Sequence, residues 1–228
     1  MIPGISNSLF LFNAPAAPVV GTSPILVYQN TYSGSGGSSG NVTASLGDEA
    51  ADRIVIVVIW LSNGVTSTIS NIKIGSVAAS TIAAYNTGFE PAVMAQLLVP
   101  TGSTAVVQWT GSGTPDYYGL AVYTLTSYNS ALPIWTGSQY SGTTATTTLT
   151  TSSLPSNSVG VFSYQTYRQF SSSPWTSGNV TQDSLKNPQG SWSVAHLNSD
   201  VSGVQNVSAT WSGTNTPNYV SMLGATWR

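Results

Sequence analysis

Cysteine is absent from the 228-residue chain, which excludes disulfide bonds, thiolate nucleophiles and Cys-ligated metal sites. Charge is nearly as scarce, since charged residues form 5% of the chain, against roughly 25% in ordinary soluble domains. Five Lys and Arg residues and seven Asp and Glu residues give a net charge of −2. The basic surface of a nucleic-acid-binding protein is therefore missing, and no apolar run reaches the roughly 20 residues of a membrane span. We expect no nucleic-acid partner and no membrane partner.

Helical patterning is also missing, because no stretch of helical length repeats apolar residues with a period near 3.6. Short β-branched and aromatic segments recur between turns rich in Gly, Pro and Asn, which predicts an all-β sandwich or barrel. Residues 53–61 (RIVIVVIWL) form one continuous run. Such runs are typical of strands that are buried on both faces. We therefore predict a fully buried strand at this position.

One passage of the sequence occurs twice. Residues 109–122 read WTGSGTPDYYGLAV and residues 211–224 read WSGTNTPNYVSMLG. The shared Trp, Gly, Thr, Pro and Tyr keep a constant offset of 102 residues, as between Trp109 and Trp211. Self-similarity at a fixed offset is typical of a repeated structural unit. The repeat predicts two similar halves, at about residues 41–128 and 141–228.

The predicted fold is a jelly-roll-like antiparallel β-sandwich over residues 24–228, in which the two halves pack against each other. An extended N-terminal arm precedes it at residues 1–23. Prolines punctuate the arm and oppose regular helix or sheet. Four consecutive apolar side chains give the arm a surface for assembly contacts: Leu9, Phe10, Leu11 and Phe12.

Few residues of the chain are suited to catalysis. His196 is the single histidine, and a Ser–His–Asp arrangement would pair it with an acid such as Asp183 or Asp200. The Gly-x-Ser-x-Gly pattern occurs only at residues 36–40 (GGSSG), within a Gly/Ser-rich stretch whose composition predicts a flexible turn or linker, not a nucleophile elbow between a strand and a helix. His196 lies within a predicted strand. We interpret His196 as a structural or surface residue, and predict a protein that is not an enzyme and needs no cofactor.

Asp48, Glu49 and Asp52 form the only acidic cluster of the sequence. An acidic turn of this kind could bind Ca²⁺ with help from backbone carbonyls. The other interpretation is a solvated turn before the buried strand, with Asp52 beside Arg53. The matching turn of the second half, residues 152–157, has no acidic residue. We expect no bound metal, and the three carboxylates remain the candidate ligands.

Seven Trp and eleven Tyr residues raise the possibility of carbohydrate binding, because sugar faces stack on exposed aromatic rings. The alternative is that most of these rings end strands and fill the core. The candidates for exposed glycan contacts lie in turn-rich stretches: Trp135, Tyr140, Tyr167 and Trp175.

The order of several segments resembles β-sandwich domains of structural proteins from tailed phages and gene transfer agents. The resemblance covers roughly residues 24–228 and carries no catalytic signature. The segments that carry it are residues 53–60, 72–78 (IKIGSVA), 84–85 (AY), 99–102 (VPTG), 106–109 and 120–125 (LAVYTL).

The resemblance implies a virion location and a role in the head, a head spike or the tail. With the low charge and the apolar arm, it leads us to expect a decoration or cement protein that stabilises a tailed-phage capsid through multivalent contacts. The expected partners are the major capsid protein or other virion proteins, and further copies of this chain in a homo-oligomer, with a trimer favoured. The alternative is a carbohydrate-binding module of a tail fibre, a spike or a secreted protein.

Overall fold

The computed structural model describes residues 23–36, 39–62, 66–86, 90–142, 144–166, 172–186, 191–211 and 219–228. Every regular element in these ranges is a β-strand, and every strand pairing is antiparallel, so the all-β prediction is confirmed. None of the ranges contains a helix with the length and apolar character of a membrane span. The predicted residues that lie outside the described ranges are Leu9, Phe10, Leu11, Phe12 and Tyr167.

The strands are β1 (Ile25–Ser35), β2 (Gly40–Ser45), β3 (Ile54–Ser62), β4 (Thr68–Ile74), β5 (Val77–Ala78), β6 (Ser80–Tyr85), β7 (Ala92–Leu98), β8 (Thr104–Ser112), β9 (Tyr117–Thr126), β10 (Trp135–Tyr140), β11 (Thr146–Thr150), β12 (Leu154–Thr166), β13 (Val180–Lys186), β14 (Ser191–Gly203), β15 (Asn206–Thr210) and β16 (Val220–Trp227).

The two halves have the same strand order. In the first half, a five-stranded sheet runs β1-β9-β3-β7-β6 beside a four-stranded sheet, β2-β8-β4-β5. In the second half, a five-stranded sheet runs β10-β16-β12-β14-β13 beside the pair β11-β15, which Trp175 extends through a bridge to Ala209. The duplicated sequence passage joins equivalent strands, from β8 to β9 and from β15 to β16. β1 and β10 add an equivalent edge strand to each half, ahead of the sequence boundaries at 41 and 141.

The sheets stack in four layers. One core lies inside each half, between its five-stranded sheet and its smaller outer sheet. A third core joins the two five-stranded sheets, with residues of β3, β7 and β9 facing residues of β12, β14 and β16. We call these two sheets the inner sheets. The halves therefore form one body, and each half is itself a two-layer sandwich.

β3 is the buried strand that the sequence predicts. All of its nine residues are buried. Val55, Val57 and Ile59 enter the core of the first half, while the alternate side chains, from Ile54 to Trp60, enter the core between the inner sheets. Side chains of a strand alternate between faces, so a strand with a core on each side presents apolar side chains to both, as β3 does from Ile54 to Leu61. Each such Val or Ile stabilises the fold by roughly 1.5–3 kcal/mol.

The outer sheets carry pairs of hydroxyl side chains that are hydrogen-bonded across strands. Thr68 and Ser112 are hydrogen-bonded across strands at 2.9 Å in the first half, and Thr146 and Thr210 at 3.0 Å in the second. Cross-strand pairs of this kind each contribute roughly 0.2–1 kcal/mol. This pattern explains how a chain with so little charge presents a polar surface.

Candidate functional site

The single histidine belongs to a three-residue network between the halves. His196 on β14 contacts Asp183 on β13 through Nδ1 and Oδ1, 2.7 Å apart. Tyr123 of the first half donates its hydroxyl to the other carboxylate oxygen at 2.7 Å. Asp183 is one of the two acids that the sequence analysis pairs with His196. The tyrosine was not anticipated, because only the packing of the inner sheets brings it to Asp183.

The network raises the pKa values of His196 and Tyr123. The hydrogen bond to Asp183 raises the pKa of His196, burial lowers it, and the charge of the same carboxylate raises it further. Burial, with the Asp183 charge in addition, raises the pKa of the Tyr123 phenol well above its ordinary value. Tyr123 therefore stays protonated near neutral pH and acts as a hydrogen-bond donor.

The cavity beside His196 has no nucleophile among its described lining residues. A cavity of about 260 Å³ adjoins the ring, and its other lining residues are Pro24, Ile25, Leu26, Val159 and Leu197. An acid–histidine pair needs a hydroxyl or thiol within reach to complete a triad. The described lining offers neither, so the geometry favours the structural interpretation of His196.

We predict that stability will fall as the pH rises above about 6.5, the ordinary pKa of histidine. A group whose pKa is higher in the folded state holds its proton more tightly there. Its stabilisation is complete below the unfolded pKa and is lost as the pH rises through the raised folded pKa of His196. Urea unfolding on both sides of that range should show this trend in the native chain and a reduced trend in His196→Gln. An equal trend in both proteins would contradict the assignment.

The acidic cluster holds loops together. Glu49 Oε1 accepts a hydrogen bond from the Gly102 amide at 2.6 Å, and Asp52 Oδ2 accepts one from the Ser127 amide at 2.6 Å. Asp48 contributes its backbone carbonyl to the Arg53 guanidinium at 2.6 Å. Within the described ranges no group of three or more His, Cys, Asp or Glu is placed to hold a metal ion. These contacts give the cluster a structural use that does not require Ca²⁺.

Arg53 is a buried residue that joins two loops, a role that the sequence did not predict. The residue is 1% exposed, and within the described ranges its guanidinium donates to six backbone carbonyls, at 2.6–3.3 Å. The acceptors belong to two loops that flank the start of β3: Leu46, Gly47, Asp48, Val99, Thr101 and Gly102. The sequence pattern that could have indicated this role is an arginine directly before a fully apolar run.

The three aromatic candidates for glycan contact that lie in the described ranges do not form one platform. Trp135 and Tyr140 are five residues apart on β10, so they point to opposite faces. Trp135 is partly buried and packs in the core of the second half, as does Trp175, whose indole donates to Ser193 Oγ at 2.8 Å. Tyr140 is exposed and stacks on Tyr85 of the first half, with ring centroids 5.0 Å apart. Glycan contact at Tyr140 remains a prediction.

A network of buried hydrogen bonds lies between the inner sheets. Trp60 donates its indole N–H to Glu90 at 2.9 Å, and Ser221 of the second half donates to the Glu90 carbonyl at 3.3 Å. Trp192 lies parallel to Trp60 at 6.4 Å between ring centroids and donates to Ser163 Oγ at 3.1 Å. All five residues are fully buried. Directional bonds of this kind fix how the two sheets pack.

A cleft of about 610 Å³ lies on the four-stranded sheet of the first half. β2, β4, β5 and β8 build it, and a register shift in β4 between Ser70 and Lys73 interrupts the strand beside it. Asn71 lies in this bulge with φ of 49°, a conformation that Asn tolerates better than most residues. Bulges commonly re-aim side chains next to functional sites. The lining residues are Ser39, Gly40, Asn41, Asn71, Ile72, Lys73, Ala78, Gln108, Trp109 and Thr110.

No protein-family model matches the chain. No curated protein matches it either.

Proposed function

We propose that this chain is a structural protein of a tailed-phage virion, acting as a head decoration or cement protein. The observation that supports the proposal best is the four-layer body, in which a common core and a network of buried hydrogen bonds join the two sandwiches. Such a body is rigid because its halves are joined by directional bonds as well as by apolar contact. A rigid body with two similar halves is suited to bridging neighbouring subunits of a capsid lattice.

The mechanism we propose is multivalent clamping. Each copy makes modest contacts to the major capsid protein, and several contacts on one rigid body add through effective concentration. The near absence of surface charge supports this assembly, because a net charge near zero opposes association only weakly. Exposed hydroxyl pairs on the outer sheets keep the protein polar where it meets solvent.

Self-association, with a trimer favoured, is part of the proposal. β1 is an edge strand of its inner sheet, and two of its apolar side chains are exposed, Ile25 at 54% and Val27 at 44%. An exposed apolar edge strand is a template for pairing with another chain. This edge is therefore the position at which we expect one copy to contact the next.

The experiment combines particle composition with oligomeric state. Mass spectrometry of purified phage particles whose genome encodes this chain should find it, and sedimentation should give about three times its 23.7 kDa mass. Ile25→Lys with Val27→Lys should lower the oligomeric state, because two charges oppose strand pairing. Val77→Lys with Val204→Lys is the matched control, since both side chains are also exposed. A monomer that never co-purifies with particles would overturn the proposal.

A further inference from the structure

We propose that the cleft on the four-stranded sheet binds an acidic sugar, one whose ring hydroxyls lie beside a carboxylate. This inference goes beyond the virion role and does not depend on it. It also moves the expected glycan site away from the aromatic residues that the sequence suggests. The cleft volume of about 610 Å³ falls within the roughly 300–1,000 Å³ of small-molecule pockets.

The charge in the cleft selects for an anion. Lys73 lines it and is exposed, and no carboxylate is among its described lining residues. The one ion pair within the described ranges joins His196 and Asp183, so Lys73 has no acidic partner there. An ammonium group in a cleft whose described lining has no acidic residue favours a carboxylate ligand.

The amide side chains select for hydroxyl groups. Within the described ranges Asn41 and Gln108 make no side-chain hydrogen bond, while Asn71 donates to Thr110 Oγ1 at 2.8 Å. Each amide offers both a donor and an acceptor. A sugar hydroxyl also donates and accepts, so neighbouring hydroxyls match a lining of several amides. An apolar ligand would leave these groups unpaired.

Trp109 forms part of the cleft wall. Its side chain is 2% exposed, it lines the cleft, and its indole N–H has no hydrogen-bond partner in the structure. The ring lies directly against Gly40, where a Cβ atom would come within 1.9 Å of it. A buried donor without a partner costs about 1–3 kcal/mol. The equivalent Trp211 of the second half has the same unpartnered N–H, so this cost belongs to both copies of the repeated unit.

Calorimetric titration with oligosaccharides of glucuronic acid tests the proposal. The matched ligand is the same oligosaccharide with its carboxyl groups reduced to alcohols. We expect saturable binding of the acidic form, at least about tenfold weaker binding of the reduced form, and a similar loss in Lys73→Met. Gln108→Leu should weaken both forms. Lys73 and Gln108 are not buried, so these variants keep the fold.

Three further variants separate the cleft from general effects. Trp109→Phe should weaken binding, whereas Trp211→Phe should not, although Trp211 also has an unpartnered buried indole N–H. Lys186→Met controls for the loss of one positive charge outside the cleft. Equal affinity in Lys73→Met and Lys186→Met would overturn the proposal, as would the absence of binding by the native chain. Equal binding of the acidic and reduced ligands would overturn the assignment of the carboxylate.

Discussion

Replacing Trp192 by alanine will lower the free energy of unfolding by about 3–5 kcal/mol, the range of buried Trp-to-Ala substitutions. Trp192 is fully buried between the inner sheets and lies parallel to Trp60. The backbone of Gly119 lies against the same ring, so close that a Cβ atom there would come within 3.0 Å of it. The substitution removes this contact area and leaves a cavity at the junction of the halves.

Urea unfolding followed by circular dichroism measures this loss. Leu132→Ala is the control, because Leu132 is 71% exposed and surface substitutions usually change stability by less than about 0.5 kcal/mol. Trp135→Ala is a second control for the loss of an indole, since Trp135 is partly buried within one half and lies outside the core between the inner sheets. A loss below about 1 kcal/mol in Trp192→Ala would contradict the role of this junction.

Replacing Arg53 by methionine will destabilise the protein by at least about 3 kcal/mol, because several buried carbonyls lose their donor together. The guanidinium holds the loop at residues 46–48 and the loop at residues 99–102 against the start of β3. Methionine fills much of the volume and makes none of these bonds. The two loops should also become more accessible to protease.

Arg53→Lys tests the geometry of the same site. Lysine keeps the charge but has three donors on one atom, so it cannot reproduce the planar fork that reaches both loops. We expect it to recover only part of the lost stability. Lys73→Met, at an exposed position, controls for the loss of a positive charge and should stay within about 0.5 kcal/mol of the native chain. Native-like stability of Arg53→Met would show that the carbonyls find other donors.

Several features were predictable from local sequence. The apolar run at residues 53–61 marks a buried strand, and β3 is buried on both faces. The duplicated passage marks equivalent strand-to-strand connections, and the two halves share one strand order. These predictions succeed because strand periodicity and turn chemistry are properties of short segments.

The sites depend on residues that are distant in the chain. Tyr123 meets Asp183 across 60 residues, and Trp60 meets Glu90 across 30. The cleft combines side chains of β2, β4 and β8. Sequence patterns treat each segment alone, so they do not reveal which polar groups meet. The aromatic count drew attention to Trp135 and Trp175, whose rings instead pack in the core of the second half.

The sequence by itself determined the class of fold, the repeat and the polar, weakly charged surface, because composition and periodicity decide which segments must be buried. Only the tertiary structure decided that each half is a complete sandwich, that the two inner sheets pack face to face, and that the four-stranded sheet carries a cleft. Lys73 lines this cleft and has no acidic partner among the residues that the structure describes. Sheet packing is a property of whole faces. A strand that is apolar on both sides requires two covering layers but does not specify which layers cover it.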